Sequence, residues 1–118
     1  MNLTELEKRI IDAEKKGQAW AELHEKWLQL DKDEKSFLAA LKIQIRTARN
    51  GEKISDAELE MEARASEEFR TFISRLAIAK GAELSAKVKY DNAIAWHEAC
   101  RTSESTKRVE MQFLRGQT

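Results

Sequence analysis

Apolar residues recur at alternating spacings of three and four through most of this chain. Leu3, Leu6, Ile10, Ala13, Gly17, Trp20, His24 and Trp27 form the first series, a heptad stripe on one helical face. The stripe weakens over Asp31-Lys32-Asp33-Glu34-Lys35, where continuing it places acids inside. It resumes in a shifted phase at Phe37 or Leu38, Leu41, Ile45 and Ala48. Such a shift implies a stutter, a bend or a short break at 31–35, and a separate short helix capped near Asp33 is the alternative. A second series runs through Leu59, Glu62, Ser66, Phe69, Ile73, Leu76, Lys80, Leu84 and Val88, broadened by Phe72 and Ala77. It continues through Tyr90, Ile94, Trp96 and Cys100.

Few residues interrupt these series. The chain has no proline and four glycines, Gly17, Gly51, Gly81 and Gly116. Asn50-Gly51 is the strong local breaker, because both residue types tolerate positive φ. After it, Ser55 and Glu58 have the spacing of a capping box, with Ile54 and Leu59 placed as a hydrophobic staple. At the other end, Asn2 or Thr4 is the expected first cap, with Glu5 or Glu7 as its reciprocal partner. The pattern predicts an all-α, elongated antiparallel helical hairpin in one domain. Its expected parts are a first long helix over 1–49, a turn over 50–55 and a second long helix over 56–101. The polar run Thr102 to Thr106 marks a break, leaving 102–118 as a polar tail or short helix. In the register this implies, Ile45 meets Leu59 and Glu60, Phe37 meets Phe69, and Leu30 meets Leu76. Trp20 and Trp27 straddle Gly81, Gly17 faces Val88, and Ile10 lies near Trp96. Gly17 and Gly81 then read as room for bulk on the facing helix.

Composition changes this picture in one respect. Charged residues make up 36% of the 118, so two rods leave a thin core and much surface. Stability then calls for a second copy or another partner, and a coiled-coil-like homo-oligomer is expected. Trp20, Trp27 and Trp96, with Ile10 and Leu84, are too bulky for a two-helix seam alone and are the candidate self-association residues. Cys100 is the lone cysteine, so neither an internal disulfide nor a multi-cysteine metal cluster is available. The start Met-Asn-Leu-Thr-Glu has no apolar leader, and no stretch nears the roughly 20 apolar residues of a membrane helix. A cytoplasmic protein without a membrane partner is expected.

Formal charge is zero, from 21 basic and 21 acidic residues, but it is unevenly spread. Residues 37–53 carry +3, 54–68 carry −5 and 69–118 carry +4. A hairpin lays the first of these beside the second, so Arg46 and Arg49 are expected to meet acids such as Glu58 and Glu62. The basic second half is left over. Lys87, Lys89, Arg101, Lys107, Arg108 and Arg115 are the candidate contacts to nucleic-acid phosphates. His24 and His97 show no HExxH spacing, and neither follows a glutamate by three residues. We expect no catalytic, cofactor-binding or metal-binding residues, and each histidine at the surface or in a seam.

The turn N-G-x-x-I-S-D-A-E over Asn50 to Glu58 and the tail R-T-S-E-S-T-K-R over Arg101 to Arg108 carry a resemblance. With the two-rod layout, they resemble small helical proteins of unknown role encoded by bacterial phages, some near recombination genes. The resemblance implies a phage setting and an accessory part in recombination or replication, and it assigns no active residue. The function expected is that of a non-enzymatic scaffold or adaptor that self-associates. The alternative is an accessory DNA-binding factor that uses the basic second half.

Overall fold

A computed structural model describes residues 4–116, and these form two long helices and a short one. Helix α1 spans Glu5–Ala48, α2 spans Asp56–Ala65 and α3 spans Glu67–Gly116. Thr4 caps α1 in a complete capping box: its Oγ1 accepts from Glu7 N at 3.1 Å, and Glu7 Oε2 accepts from Thr4 N at 3.3 Å. The alternative cap Asn2, and Leu3 of the first stripe, lie outside the described residues. The reversal falls at Asn50 and Gly51, where φ is +33° and +93°. Ser55 then caps α2 by accepting from Glu58 N at 3.1 Å.

Three expected features of the helices differ in the structure. Residues 31–35 do not interrupt α1. Asp31, Lys32, Asp33 and Lys35 point to solvent, and only Glu34 is half-buried, so the charged run leaves the backbone helical. Residues 102–106 do not interrupt α3 either. Thr102 Oγ1 donates to Glu98 O, and Thr106 Oγ1 to Thr102 O, each at 3.0 Å. Hydroxyls bonded back to the preceding turn cannot compete for the backbone elsewhere. The break lies instead at Ser66, within the expected second helix. Ser66 is extended (φ −66°, ψ 151°). Its Oγ donates to Ala63 O at 2.6 Å and accepts from Phe69 N at 3.2 Å, closing α2 and opening α3 with one side chain.

The chain divides into two compact units, Leu23–Glu83 and a second made of 1–22 with 84–118. In each, a stretch of α1 runs antiparallel to a stretch of α3. The Leu23–Glu83 unit buries Leu38, Leu41, Ala63 and Phe69 in one cluster, with Phe37 and Ile45 packed against it. Leu59 is covered completely, and Phe72 stacks on Phe37 with centroids 4.7 Å apart. Each large side chain buried this way contributes on the order of 1.5–3 kcal/mol. Two ion pairs join the arms, Lys42–Asp56 at 2.9 Å and Arg49–Glu62 at 2.6 Å. In the other unit Trp20 stacks on Tyr90 at 5.8 Å, and the Arg9 guanidinium lies 4.6 Å from the Trp96 ring centre.

The expected stripe on the second arm is displaced by one position. The α3 residues least exposed in the Leu23–Glu83 unit include Phe69, Phe72, Leu76, Ala79 and Glu83; in the other unit they are Ala86, Tyr90, Ala93, His97 and Cys100. Their spacings alternate three and four without a fault. Ile73, Leu84 and Val88, expected inside, are 37%, 48% and 57% exposed. Phe37 packs against the cluster that holds Phe69, as expected, and also stacks on Phe72, while Gly17 faces Tyr90 rather than Val88.

The two interior glycines separate under this register. A Cβ on Gly17 would stand 2.9 Å from Tyr90 Cε1, so Gly17 does make room for a facing ring. A Cβ on Gly81 would meet nothing within 4 Å, so the expected packing role of Gly81 is corrected. Gly81 therefore only weakens the helix. Gly81→Ala is expected to stabilise the protein by about 0.5–1 kcal/mol. Gly17→Ala is expected to destabilise it by about 1 kcal/mol or more, overpacking against Tyr90 outweighing the helix gain. Urea unfolding of the two variants checks this, and shifts of the same sign would contradict the register.

Candidate functional site

One charged residue is buried among the described residues. Glu83 is 3% exposed, on the face of α3 turned to α1. Its Oε1 lies 3.0 Å from His24 Nδ1 of α1, and its Oε2 lies 3.3 Å from Lys80 Nζ one turn back. Lys80 Nζ also stands 3.7 Å from the centre of the Trp27 ring, and the His24 and Trp27 rings are 5.8 Å apart. Four side chains from two helices thus form one cluster. A buried carboxylate without partners costs several kcal/mol, and the contacts to His24 and Lys80 offset part of that cost. The cluster brings together His24 and Trp27, which the sequence placed in a seam, with Glu83 and Lys80. Glu83 has no apolar signature, and the pattern of apolar residues does not single it out. Its spacing from Phe72, Leu76 and Ala79 is the one signal that could have found it.

The remaining candidates are scattered. Trp20 is half-buried against Tyr90, while Trp96 is 58% exposed beneath Arg9. Ile10 and Leu84 are 38% and 48% exposed. His97 is half-buried in the α3 seam, and its Nδ1 is covered without a hydrogen-bond partner. Lys87, Lys89, Arg101, Lys107, Arg108 and Arg115 all face solvent. Arg49 finds its acid across the turn in Glu62. No group of three or more His, Cys, Asp or Glu able to hold a metal occurs among the described residues. Among them, no helix is long and apolar enough to cross a membrane.

Two shallow depressions flank these elements. One, of about 210 Å³, is lined by Leu23, Lys26, Leu30, Arg75, Ile78 and Ala79 beside the Glu83 cluster. The other, of about 510 Å³, lies along Glu98, Thr102, Ser105, Thr106 and Val109. Neither gathers polar groups around one point. Comparison with protein-family models, curated proteins and solved structures found no match.

The arrangement at Glu83 supports specification of register. A carboxylate at one point of the α3 seam finds its cross-helix partner, His24, only when α1 sits in the observed alignment. Removing the two partners should therefore have unequal effects. His24→Ala removes the cross-helix contact to buried Glu83 and is expected to cost about 1–2 kcal/mol. Glu83→Leu removes the buried carboxyl group, while the side chains of His24 and Lys80 stay near water, and is expected to be nearly neutral or stabilising. Chemical denaturation of both variants measures the asymmetry; equal losses would argue against it.

Proposed function

We propose that this chain is a non-enzymatic helical interaction protein that works by associating with copies of itself. The observation that carries this reading is its surface. The chain exposes 9362 Å². A compact monomer of its mass exposes roughly 6,600 Å². The surplus, about 2,800 Å² per chain, exceeds the roughly 800 Å² that each partner of a standard-size interface buries. Large apolar side chains lie on it: Ile43 is 67% exposed, Met61 73%, Ile78 72%, Trp96 58% and Phe113 65%. Exposed apolar side chains are unfavourable in water, and a protein partner would cover them. Ile10, Leu84 and Trp96 are among these exposed side chains, and Trp20 and Trp27 are half-buried. The resemblance of Asn50–Glu58 and Arg101–Arg108 supports a phage setting and a scaffold or adaptor role there.

A second reading is favoured by one observation. Arg101, Lys107 and Arg108 are exposed and make no ion pair among the described residues. Cations left unpaired are available to phosphates, so accessory DNA binding in phage recombination or replication is the alternative.

Light scattering of the purified chain at micromolar concentration tests the first reading, with a particle above 13.6 kDa expected. A 13.6 kDa particle would refute self-association. Fluorescence titration with single- and double-stranded DNA at two salt concentrations tests the second. Salt-sensitive binding that disappears when Arg101, Lys107 and Arg108 are replaced by Ala would move the assignment to DNA.

A further inference from the structure

Beside the covered stripe of α3 runs a second one, within the Leu23–Glu83 unit. Glu68, Thr71, Arg75, Ile78 and Ala82 repeat the spacing of three and four one residue earlier, and all five are exposed. They edge a concave side of the unit. The depression of about 210 Å³ reaches from Arg75 and Ile78 to Leu23, Lys26 and Leu30 of α1. A further one, of about 380 Å³, lies along Glu67, Glu68, Thr71 and Arg75 against Phe37 of α1. Arg75 lines both, so the two form one groove. The groove is bipolar: Glu67 and Glu68 stand toward Ser66, and Arg75 and Lys26 toward Glu83. None of these four charges makes an ion pair among the described residues. Glu68 and Arg75 are two turns apart, about 10 Å along the helix, and cannot reach each other within one chain. The helix dipole favours acids at Glu67 and Glu68, but it places no cation at Arg75.

We infer that a second copy of the chain lies antiparallel along this groove, about a two-fold axis beside Thr71 that sets Glu68 of each copy against Arg75 of the other. The inference rests on the self-association reading and locates its interface. Charge complementarity selects the occupant. Turning the groove end for end brings its acids onto its cations, so the surface is complementary to itself, as a two-fold interface requires. A parallel copy would set like charges together. The same rotation carries Ile78, which is 72% exposed, to the depression beside Phe37 in the facing groove. Apolar burial there supplies attraction, and the two crossed ion pairs fix the direction.

The test is a charge exchange in the full chain at low salt. The wild-type chain is expected at twice 13.6 kDa by light scattering, with its dissociation constant read by dilution. Arg75→Glu sets acids against acids and should weaken the dimer at least about tenfold. Glu68→Arg sets cations against cations and should do the same. The two together exchange the ends of the groove and should restore the dimer to within about threefold of wild type. Restoration separates pairing between copies from a role inside one chain, where the two residues are out of reach. Arg70→Glu makes the same change of charge about a third of a turn round α3 and should leave the dimer intact. All of these positions are exposed, so helical content by circular dichroism should persist throughout. A wild-type monomer would overturn both this pairing and the self-association reading. A dimer that ignores Arg75→Glu, that the double variant does not restore, or that Arg70→Glu weakens equally would overturn this pairing and leave the broader reading standing.

Discussion

Large hydrophobic cover is concentrated near the reversal, and the rest of the helix pairing depends on it. Leu38, Leu41, Leu59, Phe69 and Phe72 are the large side chains buried among the described residues, and all lie in the Leu23–Glu83 unit. The turn at Asn50–Gly51 and the caps at Ser55 and Ser66 fix the backbone around them. Beyond Phe72 and Leu76, the covered face of α3 narrows to alanines, Glu83, Tyr90, His97 and Cys100. Such residues allow close approach of two helices but bury little apolar area, so they select an alignment more than they drive association. That division explains why a single overpacked position such as Gly17 matters. In the unit where Gly17 sits, the Trp20–Tyr90 stack is one of few large contacts.

Glu83 fits the same logic. A seam poor in bulky residues is weakly selective, because sliding one helix by a heptad replaces alanine with alanine. A buried carboxylate changes that balance. Away from His24 it would be covered without its cross-helix partner, at a cost comparable to several buried methylenes. The half-exposed imidazole and the Lys80 ammonium remain near water while they contact it, which keeps their own desolvation small. The cluster raises the energy of wrong alignments more than it lowers that of the right one.

Much of this was legible in the residues. The spacing of three and four, the absence of proline and the Asn50-Gly51 pair lead directly to two long helices and one reversal. Ser55 with Glu58 and Thr4 with Glu7 are caps whose geometry is local, so sequence suffices for them. The phase of α3 was not legible by apolarity, because its more apolar stripe, Ile73, Leu84 and Val88, is the one left exposed. The covered stripe lies one residue earlier and contains a glutamate, which periodicity alone counts as a surface position. Ser66 was misjudged for a related reason. Its neighbours Glu67 and Glu68 give the acidic first turn of a new helix, but serine on an apparent stripe reads as a small seam residue. The runs at 31–35 and 102–106 show the converse. Polar residues without proline or glycine do not break a helix when their side chains hydrate or bond back to the preceding turn.

The displaced stripe bears directly on what the chain does. If apolar residues had been placed only for the hairpin, they would lie on the face that α1 covers. Beyond Leu76 that face instead holds alanine, glutamate, tyrosine, histidine and cysteine, while Ile73, Ile78, Leu84, Val88 and Phe113 face outward. Phosphate recognition needs exposed cations but gives no reason for exposed Met61, Ile78 or Phe113. A protein surface does, since it removes those side chains from water. A formal charge of zero is neutral on the choice of protein partner and unfavourable to none. That exposure of apolar side chains is the ground on which we propose a protein partner, a second copy of the chain included.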